Sequence, residues 1–97
     1  MYMSKYEWDK KKDLHNIQKH GISFSEASHI FDNPILSKID DRLDYKEIRH
    51  ISIGEIKNII VMVVVHTDRS NKLRIISARK ANKKERDIYT NFLKGVK

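Results

Sequence analysis

The chain has no cysteine, one proline and three glycines among its 97 residues. Without cysteine there is neither a disulfide framework nor thiolate chemistry. Gly21, Pro34 and Gly54 all sit where an element is expected to end. Long hydrophobic runs are missing as well. The longest, Ile59 to Val65, falls far short of the roughly 20 residues a membrane-spanning helix needs. The opening MYMSKYEWDKKKD holds no apolar core of a signal peptide, so a cytoplasmic protein is expected. No linker, repeat or low-complexity segment divides the chain, and residues 1–97 read as a single domain.

What is abundant is charge. Charged residues make up 34% of the chain against 39% hydrophobic, with a net charge of +7. The balance is uneven along the sequence. Residues 1–67 carry ten Lys/Arg and ten Asp/Glu, whereas residues 68–97 carry ten Lys/Arg against Asp68, Glu85 and Asp87. A basic segment of this kind attracts phosphate backbones or an acidic partner. A solvated, solubilising face accounts for scattered lysines equally well.

Hydrophobic periodicity gives an element order. Tyr6 to Trp8 alternate as a short edge strand. Asp9 caps a helix with Leu14 and Ile17 on one side and Lys10, Lys11 and Lys12 on another, closed by Gly21. Ser23 and Glu26 form a capping box for a second helix that buries Phe24, Ala27, Ile30 and Phe31 before Asn33-Pro34 stops it. Strands follow at Ile35–Ile39 and Ile48–Ile53, with Gly54 opening a turn to Asn58. Ile59–Val65 is apolar on both parities, as a central strand should be. Asp68 to Lys72 reads as a hairpin loop, Leu73–Ala78 as the returning strand, and Asn82 with Glu85 as the capping box of a last helix from about Lys83 to Leu93. The fold class is α+β: two N-terminal helices, an antiparallel sheet of about four strands and a C-terminal helix.

The five histidines show no metal-ligand spacing, and no serine sits in a glycine elbow. A metal site and a hydroxyl nucleophile are therefore not expected, nor is any cofactor. What stands out is the strand-to-helix junction, where Arg79, Lys80, Lys83, Lys84 and Arg86 crowd into eight residues. Arg49, His66 and Arg79 lie near strand ends, and Glu85, Arg86 and Tyr89 follow on the helix. RNA can be cleaved without a metal by a base for the 2′-hydroxyl, an acid for the leaving 5′-oxygen and cations aimed at the phosphorane. His66 suits either proton role, and Arg49, Arg74 and Arg79 suit the electrostatic one. Each has a plainer explanation. Glu85 is accounted for as a capping residue, Tyr89 as a core residue, and His66 as a polar group finishing a buried strand. Arg74 and Arg79 also stand an odd number of residues apart, which in a regular strand sends them to opposite faces.

The ordered set EWD (Glu7–Asp9), KHG (Lys19–Gly21), Phe24 with Glu26-Ala27 and Phe31, Arg49 with Ile53-Gly54, VVHTDR (Val64–Arg69) and RIISARKA (Arg74–Ala81) resembles the BrnT toxins. Glu85, Arg86 and Tyr89 extend the match. The resemblance implies a RelE-like fold and an endoribonuclease toxin of a type II toxin–antitoxin pair. Its substrate would be single-stranded mRNA, cleavage arresting translation and leaving a 2′,3′-cyclic phosphate. Its partner would be a BrnA-type DNA-binding antitoxin, two toxins with two antitoxins, with operator DNA touched only through the antitoxin and no membrane involved. In that reading Arg79 and Arg49 stabilise the phosphorane, His66 or Glu85 takes the proton, and Tyr89 or Arg74 orients the substrate. Arg69, Lys80, Lys83 and Arg86 hold the RNA backbone. The chain departs from the family pattern at His50 and Ser52, where more apolar residues are usual, and in its short turn at Glu55–Asn58. Two rivals explain the basic last third: a non-catalytic nucleic-acid-binding module, and an interaction subunit whose patch answers an acidic partner. The first lacks an aromatic stacking platform and a helix-turn-helix signature.

Overall fold

A computed structural model describes residues 5–42, 46–57 and 59–95. Its strands are β1 (Tyr6–Glu7), β2 (Leu36–Ile39), β3 (His50–Ile56), β4 (Ile60–Arg69) and β5 (Lys72–Lys80). Its helices are α1 (Lys10–His20), α2 (Phe24–Ala27) and α3 (Lys83–Lys94), with a 3₁₀ segment over Ser28–Asp32. The five strands form one sheet in the order β1-β5-β4-β3-β2. All neighbours are antiparallel except β1, which pairs parallel to β5 through Tyr6↔Leu73 and Glu7↔Arg74. The α+β class holds, with the short leading strand completing the sheet.

The sheet has two unlike faces. On the first, Met62 and Val64 of β4, Ile56 of β3 and Ile75 and Ala78 of β5 pack against Phe24, Ala27 and Ile30, forming the hydrophobic core. The second face carries the alternate residues: Ile51 and Ile53 pair with Val65 and Val63. Apolar side chains on both parities of β4 thus have two settings: one set is buried in the core, and the other lines a hollow beside α3. Over the second face α3 is anchored by Tyr89, 1% exposed, whose hydroxyl donates to the Pro34 carbonyl at 2.6 Å.

All three helix N-caps read from sequence form. Asp9 accepts from the Lys11 and Lys12 amides, and both Ser23–Glu26 and Asn82–Glu85 close reciprocal capping boxes. Other elements differ from expectation. The second helix runs only to Ala27 before tightening into a 3₁₀ turn. Ser28 Oγ donates to the Ser25 carbonyl at 2.7 Å, a local bond that competes with the helical ladder. On α1 the buried residue is Asn16, while Leu14 and Ile17 are 61% and 39% exposed. The Asn16 amide donates to the carbonyls of Ile22 and Ala78 and accepts from the Ala78 N–H, so α1 is fastened to the β5 edge by polar bonds. Gly54 lies inside β3 instead of opening a turn. A Cβ placed on it would lie 2.7 Å from Ile30 Cβ, so its lack of a side chain lets the 3₁₀ segment approach the sheet. The last hairpin is tighter than the loop expected. β4 and β5 extend to Arg69 and Lys72, and Ser70 and Asn71 turn the chain with φ of 52° and 66°, the left-handed pair that a two-residue hairpin demands.

The ladder between β4 and β5 has one irregularity. Val65 pairs with Ser77, but His66 pairs with Ile75, leaving Ile76 without a partner in the ladder. The strand takes one extra residue there, and its alternation changes phase. Arg74, opposite Thr67, and Arg79, opposite Val63, therefore share the second face.

Candidate active site

Arg79 is the centre of that face. Its Nη1 and Nη2 each donate to a separate oxygen of Glu85 at 2.8 Å, and Nη1 also reaches the Lys80 carbonyl at 3.3 Å. Glu85 is in turn fixed by its cap, accepting from the Asn82 amide at 2.9 Å. The end of the guanidinium is thus occupied, while its side edge, formed by Nε and the second Nη2 proton, has no acceptor among the described residues. That edge is itself a two-donor fork of the geometry that grips phosphate. Arg79 is held by its carboxylate partner and still has a free fork.

Around it lies a cavity of about 490 Å³. Its floor is aliphatic, from Ile51, Ile53, Val63 and Val65, and Ile88 of α3 stands at one side. Lys38 and Arg42 join Arg79 and Glu85 at the polar rim, with Ser77 beside them. The charges feel one another. The hydrogen bonds that Arg79 donates to Glu85 raise the Arg79 pKa, against opposing effects of partial burial and the Arg42 charge. The hydrogen bonds from Arg79 hold the Glu85 carboxyl below its ordinary value, with the Asn82 amide and Lys38 acting in the same direction. Glu85 is a capping residue and a member of this cluster at once.

The other residues singled out from sequence fall into distinct places. Arg74 is on the same face and pairs with Glu7 at 3.1 Å, about 13 Å along the sheet from Arg79 by strand spacing. Arg49 and Arg69 are held together at the far end by one carboxylate, Glu47, at 3.1 and 3.4 Å. Val63, the cross-strand partner of Arg79, and Arg69 are separated by six residues of β4, about 20 Å. Lys80 is exposed and alternates to the opposite side from Arg79, Lys83 pairs with Asp87 at 2.9 Å, and Arg86 donates to the Ala81 carbonyl at 3.0 Å.

Two expected neighbours are not brought to the groove. His66 is on the first face, 7% exposed. Its Nε2 shares a 2.7 Å hydrogen bond with Ser52 Oγ, which contacts Ser37 Oγ at 2.6 Å. The ring stacks on His50 and meets Phe31 edge-on, and its Nδ1 is buried without a partner among the described residues. Burial, then the neighbouring His50, lowers its pKa to about 4 despite the opposing charge of Asp68. His50 and Ser52, the residues that depart from the family pattern, are thus its packing and hydrogen-bond partners. Tyr89 is likewise committed, its hydroxyl spent on Pro34. Sequence reasoning missed Lys38 and Arg42. Both lie in a segment read only as a strand end and a polar loop, with nothing local to link them to Arg79.

The fold and this cluster define a small α+β protein that presents an arginine fork and an aliphatic groove on one open sheet face. Comparison with known proteins specifies it further. Residues 8–85 match the family described as the ribonuclease toxin, BrnT, of type II toxin–antitoxin system. This chain belongs to that family, and as a ribonuclease toxin of such a system it has an RNA substrate and an antitoxin partner. The match takes in Arg79 and Glu85 and ends before Arg86 and Tyr89. Among solved structures, the chain is similar to the crystal structure of the Brucella abortus ribonuclease toxin BrnT. Identity is 26%, the TM-score is 0.58, and the alignment covers 78% of this chain and 94% of that one. No curated protein sequence matches the chain. Among the described residues no helix is long and apolar enough to cross a membrane, and no three His, Asp or Glu side chains gather as metal ligands.

Proposed function

We propose that this toxin is a metal-independent endoribonuclease that cleaves single-stranded mRNA at the Arg79–Glu85 pair and so arrests translation. The observation that carries this reading is the half-used guanidinium, oriented by Glu85 at the mouth of an open groove. In the proposed reaction the free fork of Arg79 binds the scissile phosphate. The 2′-oxygen attacks phosphorus, its proton passes to Glu85, the bond to the 5′-oxygen breaks, and that oxygen takes a proton from solvent. The product is a 2′,3′-cyclic phosphate. Glu85 is a weak base with its pKa held low, so the larger share of the rate comes from Arg79 stabilising the phosphorane. Arg74, Arg69 and Arg49 lie further along the same face and suit contacts to flanking phosphates. His66 has no part in this scheme, being buried on the other side of the sheet. The antitoxin is proposed to be a BrnA-type DNA-binding protein in a complex of two toxins with two antitoxins, reaching operator DNA only through the antitoxin.

The test is cleavage of a labelled single-stranded RNA by the purified chain in EDTA, with identification of the new ends. Arg79→Ala should lower the rate by about 10²–10³-fold, the effect of removing one preorganised donor to a transition-state oxyanion. Glu85→Gln, which keeps the size of the side chain, should lower it by about 10²-fold. A folded Arg79→Ala protein that cleaves at the parent rate overturns the assignment.

A further inference from the structure

The cations of the candidate site are almost all answered from within the chain. Arg79 is paired with Glu85, Arg74 with Glu7, Arg42 with Asp40, and Arg49 and Arg69 with Glu47. A different set is not. Lys11, His15 and Lys19 recur every four residues on one stripe of α1, with Lys12 three residues before His15, and among the described residues no ion pair holds any of them. The two carboxylates of this region are spent on backbone: Asp9 caps α1, and Asp13 accepts from the Phe24 amide at 2.8 Å.

This stripe flanks a cleft of about 400 Å³ whose other wall is the bulged part of β5, Ile76 and Ser77. Ser77 also lines the groove beside Arg79, so the two hollows meet at one residue. Asn16 clamps α1 to Ala78 on the same stretch of strand, which fixes the spacing between them. Arg74 lies close enough to the start of α1 to lower the pKa of its cap, Asp9, after the stronger effects of the Lys12 and Lys11 amides and the Lys12 charge. From Arg79 to Ser77 is two strand residues, about 7 Å, and from Lys11 to Lys19 is about 12 Å of helix.

We infer that α1 is a second RNA-binding surface: a strand seated at Arg79 crosses Ser77 at the β5 bulge and continues along Lys11, Lys12, His15 and Lys19. This rests on the reading of Arg79 as the phosphate site. Flexible, unpaired lysines along a helix suit backbone contact without base selection. The paired arginines of the sheet face, by contrast, are rigid and suit positioning. An acidic protein segment is the competing occupant. RNA is favoured because the stripe offers lysine and histidine next to a ribonuclease groove and places the exposed Leu14 and Ile17 outside the cleft.

The experiment uses 2′-O-methyl RNA, which lacks the nucleophile, in two lengths: a trinucleotide that fills only the Arg79 groove, and a 20-mer. Binding is followed by fluorescence anisotropy across salt concentration for the parent chain and a Lys11→Gln, Lys12→Gln, Lys19→Gln variant. These exposed substitutions keep helix propensity, and the thermal midpoint checks the fold. The 20-mer should bind the variant on the order of tenfold more weakly, with a log–log salt slope shallower by about 2, as expected for three lost phosphate contacts to a single strand. The trinucleotide should bind both alike. Unchanged 20-mer affinity overturns the inference and leaves α1 to the acidic partner. Equal weakening of both lengths also overturns it, since the lysines would then supply only a general field. Arg79→Ala tested for cleavage separates the two readings: normal cleavage by that variant sinks the active-site proposal while the length-dependent result on α1 stands.

Discussion

Arg79 and Glu85 show how one side chain can serve two scales of order. Glu85 is legible as a cap because Asn82 stands three residues before it, and that local pattern does form. Its second role, holding the Arg79 guanidinium, depends on where β5 ends relative to α3, which no local pattern encodes. His66 is the opposite case. Its residue type fits acid–base chemistry, yet strand parity places it in the core beside Ser52 and Phe31. A titration follows from that burial. With a folded pKa near 4 and an ordinary value of 6.5, the unfolded chain binds the extra proton between those two values. The stability this histidine contributes is therefore full above pH 6.5 and is lost as pH falls toward 4. Urea unfolding should show a loss of about 2 kcal/mol between pH 7 and pH 5 attributable to His66. His66→Gln should remove that share while the carboxylates common to both proteins titrate as before. An identical pH dependence in the two proteins would show the ring to be solvated.

At the scale of elements, caps and apolar alternation locate α1, α3 and the central strands, because those signals act between near neighbours. Expectation and structure part at points where a distant segment decides. Gly54 has the residue type of a turn, but its role is to leave room for Ile30, which stands 24 positions earlier in the chain. Gly54→Ala should cost about 1–3 kcal/mol through overpacking, seen as a Tm lower by roughly 4–8 °C for each kcal/mol. An unchanged midpoint would mean the 3₁₀ segment can retreat freely. The apolar residues of α1 mislead in the same way. Leu14 and Ile17 remain exposed, and Asn16 fastens the helix to β5 through two hydrogen bonds with Ala78 and to Ile22 through a third. A side-chain amide that meets backbone groups of another element leaves no periodic trace in a sequence.

For the whole molecule, the charge count along the chain locates the basic surface only in part. Glu7 and Glu47 belong to the neutral stretch, yet they fold against Arg74 and Arg69 of the basic last third. Pairing across the sheet thus transfers acidic charge to the sheet face and leaves the lysines of α1 unmatched. Glu7→Gln should release Arg74 and tighten binding of the 2′-O-methyl 20-mer, with a salt slope steeper by about 0.7. Weaker binding would show that Glu7 is needed to aim the arginine. The unpaired Ile76 has a consequence of another sort. Arg74, Ser77 and Arg79 share a face only because the backbone gains one step between them, and that step has no side chain to remove. Alanine scanning would score the three positions as independent and never touch what aligns them. Deleting Ile76 alone would leave every functional side chain in the chain yet return β5 to regular alternation, so one of the two arginines would turn into the core. The spacing of the two arginines along β5 is thus as much a part of the site as the arginines themselves.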